Sequence, residues 1–113
     1  MDDLKSMHCV APKMGGPPLS QSEIEDYYVQ TPDWDIIDSG SVMKLVRQFK
    51  FNNFLEALSF TNKIGEMAER EDHHPAILTE WGKVTITWWT HAVNGLHLND
   101  FIAAAKSDEL YLS

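Results

Sequence analysis

One long helical period lying between two hairpin patterns restricts the fold of this chain more than any other feature. Phe54, Ala57, Leu58, Phe60, Thr61, Ile64, Met67 and Ala68 recur at helical spacing, with Asn52 or Asn53 available as cap. Pro75 disfavours helical geometry at His74 and cannot extend the hydrogen-bonded ladder, so the helix is predicted to end near Glu71. Upstream, Trp34 to Asp38 and Val42 to Phe51 flank the turn residues Asp38-Ser39-Gly40-Ser41. Downstream, Ala76 to Trp81 and the β-branched, aromatic run Val84 to Thr90 flank Gly82-Lys83. Two hairpins separated by a long helix imply a four-stranded, mainly antiparallel sheet with helices packed on one face, an α+β domain.

The flanking segments extend this to the order α-β-β-α-β-β-α. Leu19-Ser20-Gln21-Ser22-Glu23-Ile24 has the chemistry of a capped helix start, and Thr31-Pro32 stops that helix after about Gln30. Asn99 is placed to cap a final helix whose apolar side includes Phe101, Ile102, Ala105 and Leu110. In the second strand Met43, Leu45, Phe49 and Phe51 share one face by the two-residue period. Arg47 interrupts that face, and nothing in the sequence accounts for it. In the fourth strand Val84, Ile86 and Trp88 face one way, and Thr85, Thr87 and Trp89 the other, with His91 in register with the threonine face if the strand continues.

A chain of 113 residues is sized for one domain. Residues 1–18, with Met14-Gly15-Gly16-Pro17-Pro18, read as a flexible tail, and 19–113 as the domain; His8 and Cys9 fall in the tail and are assigned no role. A formal charge of -8 and a pI near 4.9 argue against nucleic-acid binding, which draws its affinity from lysine and arginine. A single cysteine, Cys9, forms no intramolecular disulfide. The start Met1-Asp2-Asp3 lacks the pattern of a secretory signal, and no apolar run approaches membrane-spanning length. The expectation is a soluble, cytoplasmic protein with no membrane partner.

The chemistry concentrates after the long helix. Glu69-Arg70-Glu71-Asp72-His73-His74-Pro75 sets two adjacent imidazoles among carboxylates, and a third follows at Thr90-His91. Histidine has an unperturbed pKa of roughly 6.5, so three in a short stretch point to acid-base work or metal binding. Taken alone, a histidine pair in a polar turn is ordinary solvated surface, and His91 is equally a structural histidine; only convergence of the three makes a site. Adjacent histidines in extended backbone project to opposite sides, and neither a cysteine cluster nor an HExxH motif accompanies them, which ranks a metal below acid-base catalysis. Glu69, Asp72 and Asp100 are candidates to orient the imidazoles, against the plainer reading of Glu69 and Asp72 as solvated helix-end charges. Carboxylates there oppose the helix dipole. Trp89 is a candidate pocket or interface wall, while Trp88 belongs to the core face.

The set Glu69-x-x-x-His73-His74-Pro75, Trp81, Thr90-His91, Gly95-Leu96 and Asp100 resembles the signature of pterin-4a-carbinolamine dehydratases. The likeness runs from the capped helix near Ser20 through Pro32-Asp33-Trp34 and Phe51-x-x-Phe54 to the last helix. It departs at Trp88-Trp89, where animal members carry smaller residues. The resemblance implies the same α+β fold and a hydro-lyase that removes water from 4a-hydroxytetrahydropterin to give quinonoid dihydropterin, with no metal or other cofactor. It further implies recycling of the pterin used by aromatic amino acid hydroxylases such as phenylalanine hydroxylase, and homo-oligomers, dimers or tetramers. Carried over by position, His73, His74 and His91 would line the pterin site, with Glu69, Asp72, Thr90 and Asp100 in support and Trp34 at the edge. His73 and His91 would move the protons, and His74 would bind and polarise the substrate. The competing expectation is a protein-interaction module serving as dimerisation or regulatory cofactor of a partner, as one animal relative does.

Overall fold

The computed structural model describes residues 2–113. Helix α1 spans Gln21–Tyr28, strand β1 Asp35–Ser39, β2 Val42–Lys50, helix α2 Phe54–Glu71, strand β3 Ala76–Glu80, β4 Lys83–Trp88 and helix α3 Leu98–Leu112. The expected element order is the observed one. The strands form one antiparallel sheet in the order β1-β2-β4-β3, so the two hairpins meet through β2 and β4 at its centre.

Local chemistry explains most of the boundaries. At the start of α1 the Ser20 hydroxyl accepts from the Glu23 N–H (3.2 Å), while the Glu23 carboxylate accepts from the Ser20 N–H (2.9 Å), a reciprocal capping box. Asn53, rather than Asn52, caps α2 by accepting from the Glu56 N–H at 2.8 Å. The β1–β2 connection places Gly40 (φ 61°) and Ser41 (φ 70°) in the left-handed region, which matches the twist of a two-residue hairpin. The α3 cap differs from expectation. His97 is the N-cap, its Nδ1 accepting from the Asn99 N–H at 3.0 Å, and this frees the Asn99 side chain for another task.

The core lies between one face of the sheet and the helices. Leu45 and Phe49 of β2 and Val84, Ile86 and Trp88 of β4 meet Ala57, Phe60, Ile64 and Met67 of α2 and Phe101 and Ile102 of α3, all buried. Arg47 lies on this face, and the structure shows why it is tolerated. Its guanidinium lies over the Phe49 ring, 4.4 Å from the centroid, and donates to Asp108 Oδ1 at 2.6 Å. The same oxygen accepts from Trp34 Nε1 at 2.8 Å. Burial pushes the Asp108 carboxyl up from its ordinary range, and its bonds to Trp34 and Arg47 oppose that shift. Arg47 is thus the counterion of a half-buried carboxylate, with its stem packed on aromatic rings.

Residues 2–18, read above as a tail, lie against the domain. Leu4 is fully buried, and its N–H donates to Gln30 Oε1 at 2.9 Å. The Cys9 N–H donates to Glu71 Oε1 at 2.8 Å. Asn99 accepts from the Val10 N–H (3.0 Å) and donates to the Val10 carbonyl (2.6 Å), pairing with the segment as a neighbouring strand would. The Gly15 N–H then donates to the Ala92 carbonyl at 2.8 Å, and the Leu19 N–H to Leu96 at 2.9 Å.

This attachment has a chemical reporter. Burial first, then the charges of Glu71 and Asp100, push the Cys9 thiol up to about 12 from 9.0. Alkylation by iodoacetamide at pH 8 is expected to run about a thousandfold slower in the native protein than in urea, because only the thiolate reacts. A native rate equal to the unfolded one would show that the segment spends its time detached.

Candidate active site

The end of α2 separates the two adjacent histidines. Asp72 takes the left-handed conformation (φ 52°, ψ 42°), its N–H bonding back to Glu69 (3.3 Å), and the His73 N–H reaches the Ala68 carbonyl (3.2 Å). This Schellman closure turns the chain sharply, and Asp tolerates the left-handed region better than most residues. As a result His73 points inward and is buried, while His74 points outward.

His73 is held by a carboxylate with no solvent exposure. Its Nε2 lies 2.6 Å from Asp100 Oδ1, and its ring stacks on Trp88 with centroids 5.4 Å apart and planes 16° from parallel. Asp100 Oδ2 accepts from the Thr90 hydroxyl (2.8 Å) and from the His97 N–H (3.0 Å). Both oxygens are therefore satisfied, as a buried carboxylate requires. Its position in the first turn of α3 adds the favourable end of the helix dipole. A carboxylate accepts only, so the Nε2 of a neutral His73 is assigned the proton and Nδ1 keeps its lone pair.

His74 is half exposed, and its Nε2 lies 2.5 Å from Glu69 Oε1. Both partners meet water, so the pair orients a ring and adds little stability. His91 begins a single 3-10 turn, His91–Val93, and is exposed. Here the strand expectation is corrected. β4 ends at Trp88, because Thr90 and Gly95 exchange backbone hydrogen bonds (2.8 and 3.4 Å) and close a short loop that carries His91. His91 is positioned by that loop rather than by the pleat.

These elements enclose a cleft of about 400 Å³ lined by Pro12, Met14, Asp72, His73, His74, Trp89, Thr90, His91 and Ala92. That volume lies in the small-molecule range of roughly 300–1,000 Å³. The structure brings His73, His74, His91, Asp72 and Thr90 together at its surface, with Asp100 behind His73 and Glu69 beside His74. Trp34 is not brought there. It is fully buried, its ring packed on Phe49 and its indole N–H on Asp108.

Sequence reasoning missed His97, which lies outside the usual set of capping residues. Its Nδ1 acts as an acceptor, and burial followed by the nearby His73 lowers its pKa against the opposing effect of Asp100. Pro12 and Met14 were missed because they come from the supposed tail. Among the described residues no three His, Cys, Asp or Glu side chains converge as a metal-binding set, and no helix is long and apolar enough to cross a membrane.

Known proteins are similar to this chain in sequence and in fold. The model of the pterin 4 alpha carbinolamine dehydratase family matches residues 17–110. A protein of Nitrosococcus oceani, provisionally named pterin-4-alpha-carbinolamine dehydratase, is 56% identical over 110 residues, 97% of each chain. One of Chlorobium luteolum with the same provisional name is 50% identical over 111 residues, covering 98% of this chain and 97% of that one. A crystal structure from Brucella melitensis, titled transcriptional coactivator/pterin dehydratase, superposes with a TM-score of 0.76 at 29% identity, over 83% of this chain and 98% of that one. An α+β domain with an imidazole-lined cleft is thus the class that fold and site define. The chain belongs to the pterin-4α-carbinolamine dehydratase family.

Asp100 is the natural point to test this arrangement. Asp100→Ala leaves three donors without their acceptor and is expected to cost about 3–5 kcal/mol in urea unfolding. Asp100→Asn, closer in shape, should retain the fold and lose the fixed Nε2–H tautomer of His73 in 15N NMR. An unchanged tautomer in that variant would show that the carboxylate does not set it.

Proposed function

We propose that this chain dehydrates 4a-hydroxytetrahydrobiopterin to quinonoid dihydropterin by histidine acid-base catalysis. The observation that carries this reading is the His73 imidazole, fixed through Nε2 by buried Asp100 and reaching the same cleft as His74 and His91. The reaction breaks the bond from the ring carbon to the hydroxyl, releases water, and forms a carbon–nitrogen double bond as the ring nitrogen gives up its proton. One group must deliver a proton to the departing hydroxyl, and another must withdraw one. With Nε2–H committed to Asp100, His73 offers the Nδ1 lone pair and is the base. His91, free on its loop, is the acid. His74, steadied by Glu69, binds and polarises the substrate, with Asp72 and Thr90 beside it.

The chemistry asks for no metal, because loss of water from a carbinolamine needs only a proton delivered and a proton withdrawn, which imidazoles supply near neutrality. The product is what a reductase must receive to regenerate tetrahydropterin. A role in recycling the cofactor of aromatic amino acid hydroxylases, phenylalanine hydroxylase among them, follows in the cytoplasm.

A second reading, a protein-interaction module, draws support from the Brucella relative's title and from exposed Phe54, Leu55 and Leu58. These residues lie at neighbouring helical positions on the outer face of α2, and an apolar patch of this kind favours association with a partner or with further copies of the chain as a dimer or tetramer.

Stopped-flow decay of freshly generated 4a-hydroxytetrahydropterin distinguishes the two. Wild type should accelerate it with or without chelator, and His73→Ala and His91→Ala should each lose about 10²–10⁴-fold. His91→Ala, at an exposed position, should keep the wild-type unfolding free energy to within about 1 kcal/mol, whereas His73→Ala strips buried Asp100 of a partner and should lose about 3 kcal/mol while still folding. A folded wild type without acceleration would put the interaction module first.

A further inference from the structure

The segment ahead of α1 supplies one wall of the cleft, although the family match begins only at residue 17. We propose that Met14, with Pro12 beside it, is a specificity-determining residue that contacts the aliphatic substituent on the reduced ring of the pterin; this rests on the dehydratase reading above.

Folding does not explain Met14. The residue is 79% exposed, so it contributes little to the core, yet its backbone is firmly placed. The Gly15 N–H donates to the Ala92 carbonyl at 2.8 Å, the Gly16 N–H returns to the Lys13 carbonyl at 2.9 Å, and Gly15 holds a φ of 75° that other residues adopt at a cost. Upstream, the two bonds between Asn99 and Val10 anchor the segment to the first turn of α3, one residue before the carboxylate that holds His73. An exposed apolar side chain is thus kept beside the loop of His91 by hydrogen bonds to the backbone of its own segment rather than by its own burial.

The cleft is chemically two-sided. The imidazoles must face the reacting carbon and the ring nitrogen, where protons move. Pro12 and Met14 bring no titratable group, so the part of the substrate that meets them takes no part in the proton transfers. On the pterin that part is the substituent of the reduced ring. A flexible, polarisable thioether suits it, because it adapts to groups of different length.

The test compares carbinolamines bearing a methyl or a dihydroxypropyl substituent, with wild type, Met14→Ala and the neighbouring exposed control Lys13→Ala. Met14→Ala is expected to raise KM about fivefold for the dihydroxypropyl substrate and less than about twofold for the methyl one, with kcat unchanged. Lys13→Ala should match wild type on both. Unchanged KM values in Met14→Ala would overturn the proposal and leave the dehydratase reading intact. A kcat loss equal for both substrates would also overturn it, since that is the mark of a displaced His91 loop. A wild type that dehydrates neither substrate would overturn the proposal together with the reading it rests on.

Discussion

The buried carboxylate of Asp100 is the interaction on which the rest of the site depends. It gathers a ring nitrogen from the end of α2, a hydroxyl from the segment after β4 and a backbone N–H from the cap of α3. A carboxylate removed from water is costly unless its lone pairs are met, and here each donor comes from a different part of the chain. The three elements are therefore tied to one another through a single group. This gives the cleft a rigid back wall, with His73 stacked on Trp88 and unable to turn.

The surface of the cleft is built with less constraint. His74 pairs with Glu69 in water, and His91 rides on a short excursion, His91 to Asn94, closed by the Thr90–Gly95 bridge. A deeply held imidazole beside two more accessible ones suits the proposed reaction, in which His73 must be aimed and His91 must exchange its proton with solvent. The N-terminal segment extends the same logic outward. Asn99 and Ala92, which receive it, adjoin Asp100 and His91 in sequence, so the outer wall of the cleft is tied to the residues that form its floor.

At the far end of the domain a second carboxylate does comparable work. Asp108 takes the indole N–H of Trp34 and the guanidinium of Arg47, joining α3 to β2 and to the entry of β1. Arg47 looked like an error in an apolar strand face because its partner lies 61 residues away. Only the family resemblance places Trp34 at the edge of the site, and a matching aromatic does not reveal whether it meets ligand or, as here, the core through a partner 74 residues away.

The periodicities of α2 and of the strands, the stop at Pro75 and the turn residues at Gly40 and Gly82 made the fold legible, because each acts on its own neighbours. The histidines with Glu69, Asp72 and Asp100 stand out as candidates by residue type, and Thr90 joins them through the family resemblance. What the sequence by itself determined was therefore the element order and the list of groups able to move protons. The tertiary structure alone decided that His73 goes inward and His74 outward, that β4 stops short of His91, that His97 rather than Asn99 caps α3, and that residues 2–18 lie against the domain. The burial of His73 and the docking of residues 2–18 turn on hydrogen bonds whose partners are distant in sequence, and the α3 cap on a residue outside the usual capping chemistry, which no local pattern can report. The end of β4 turns on the short Thr90–Gly95 closure, which competes with strand propensity.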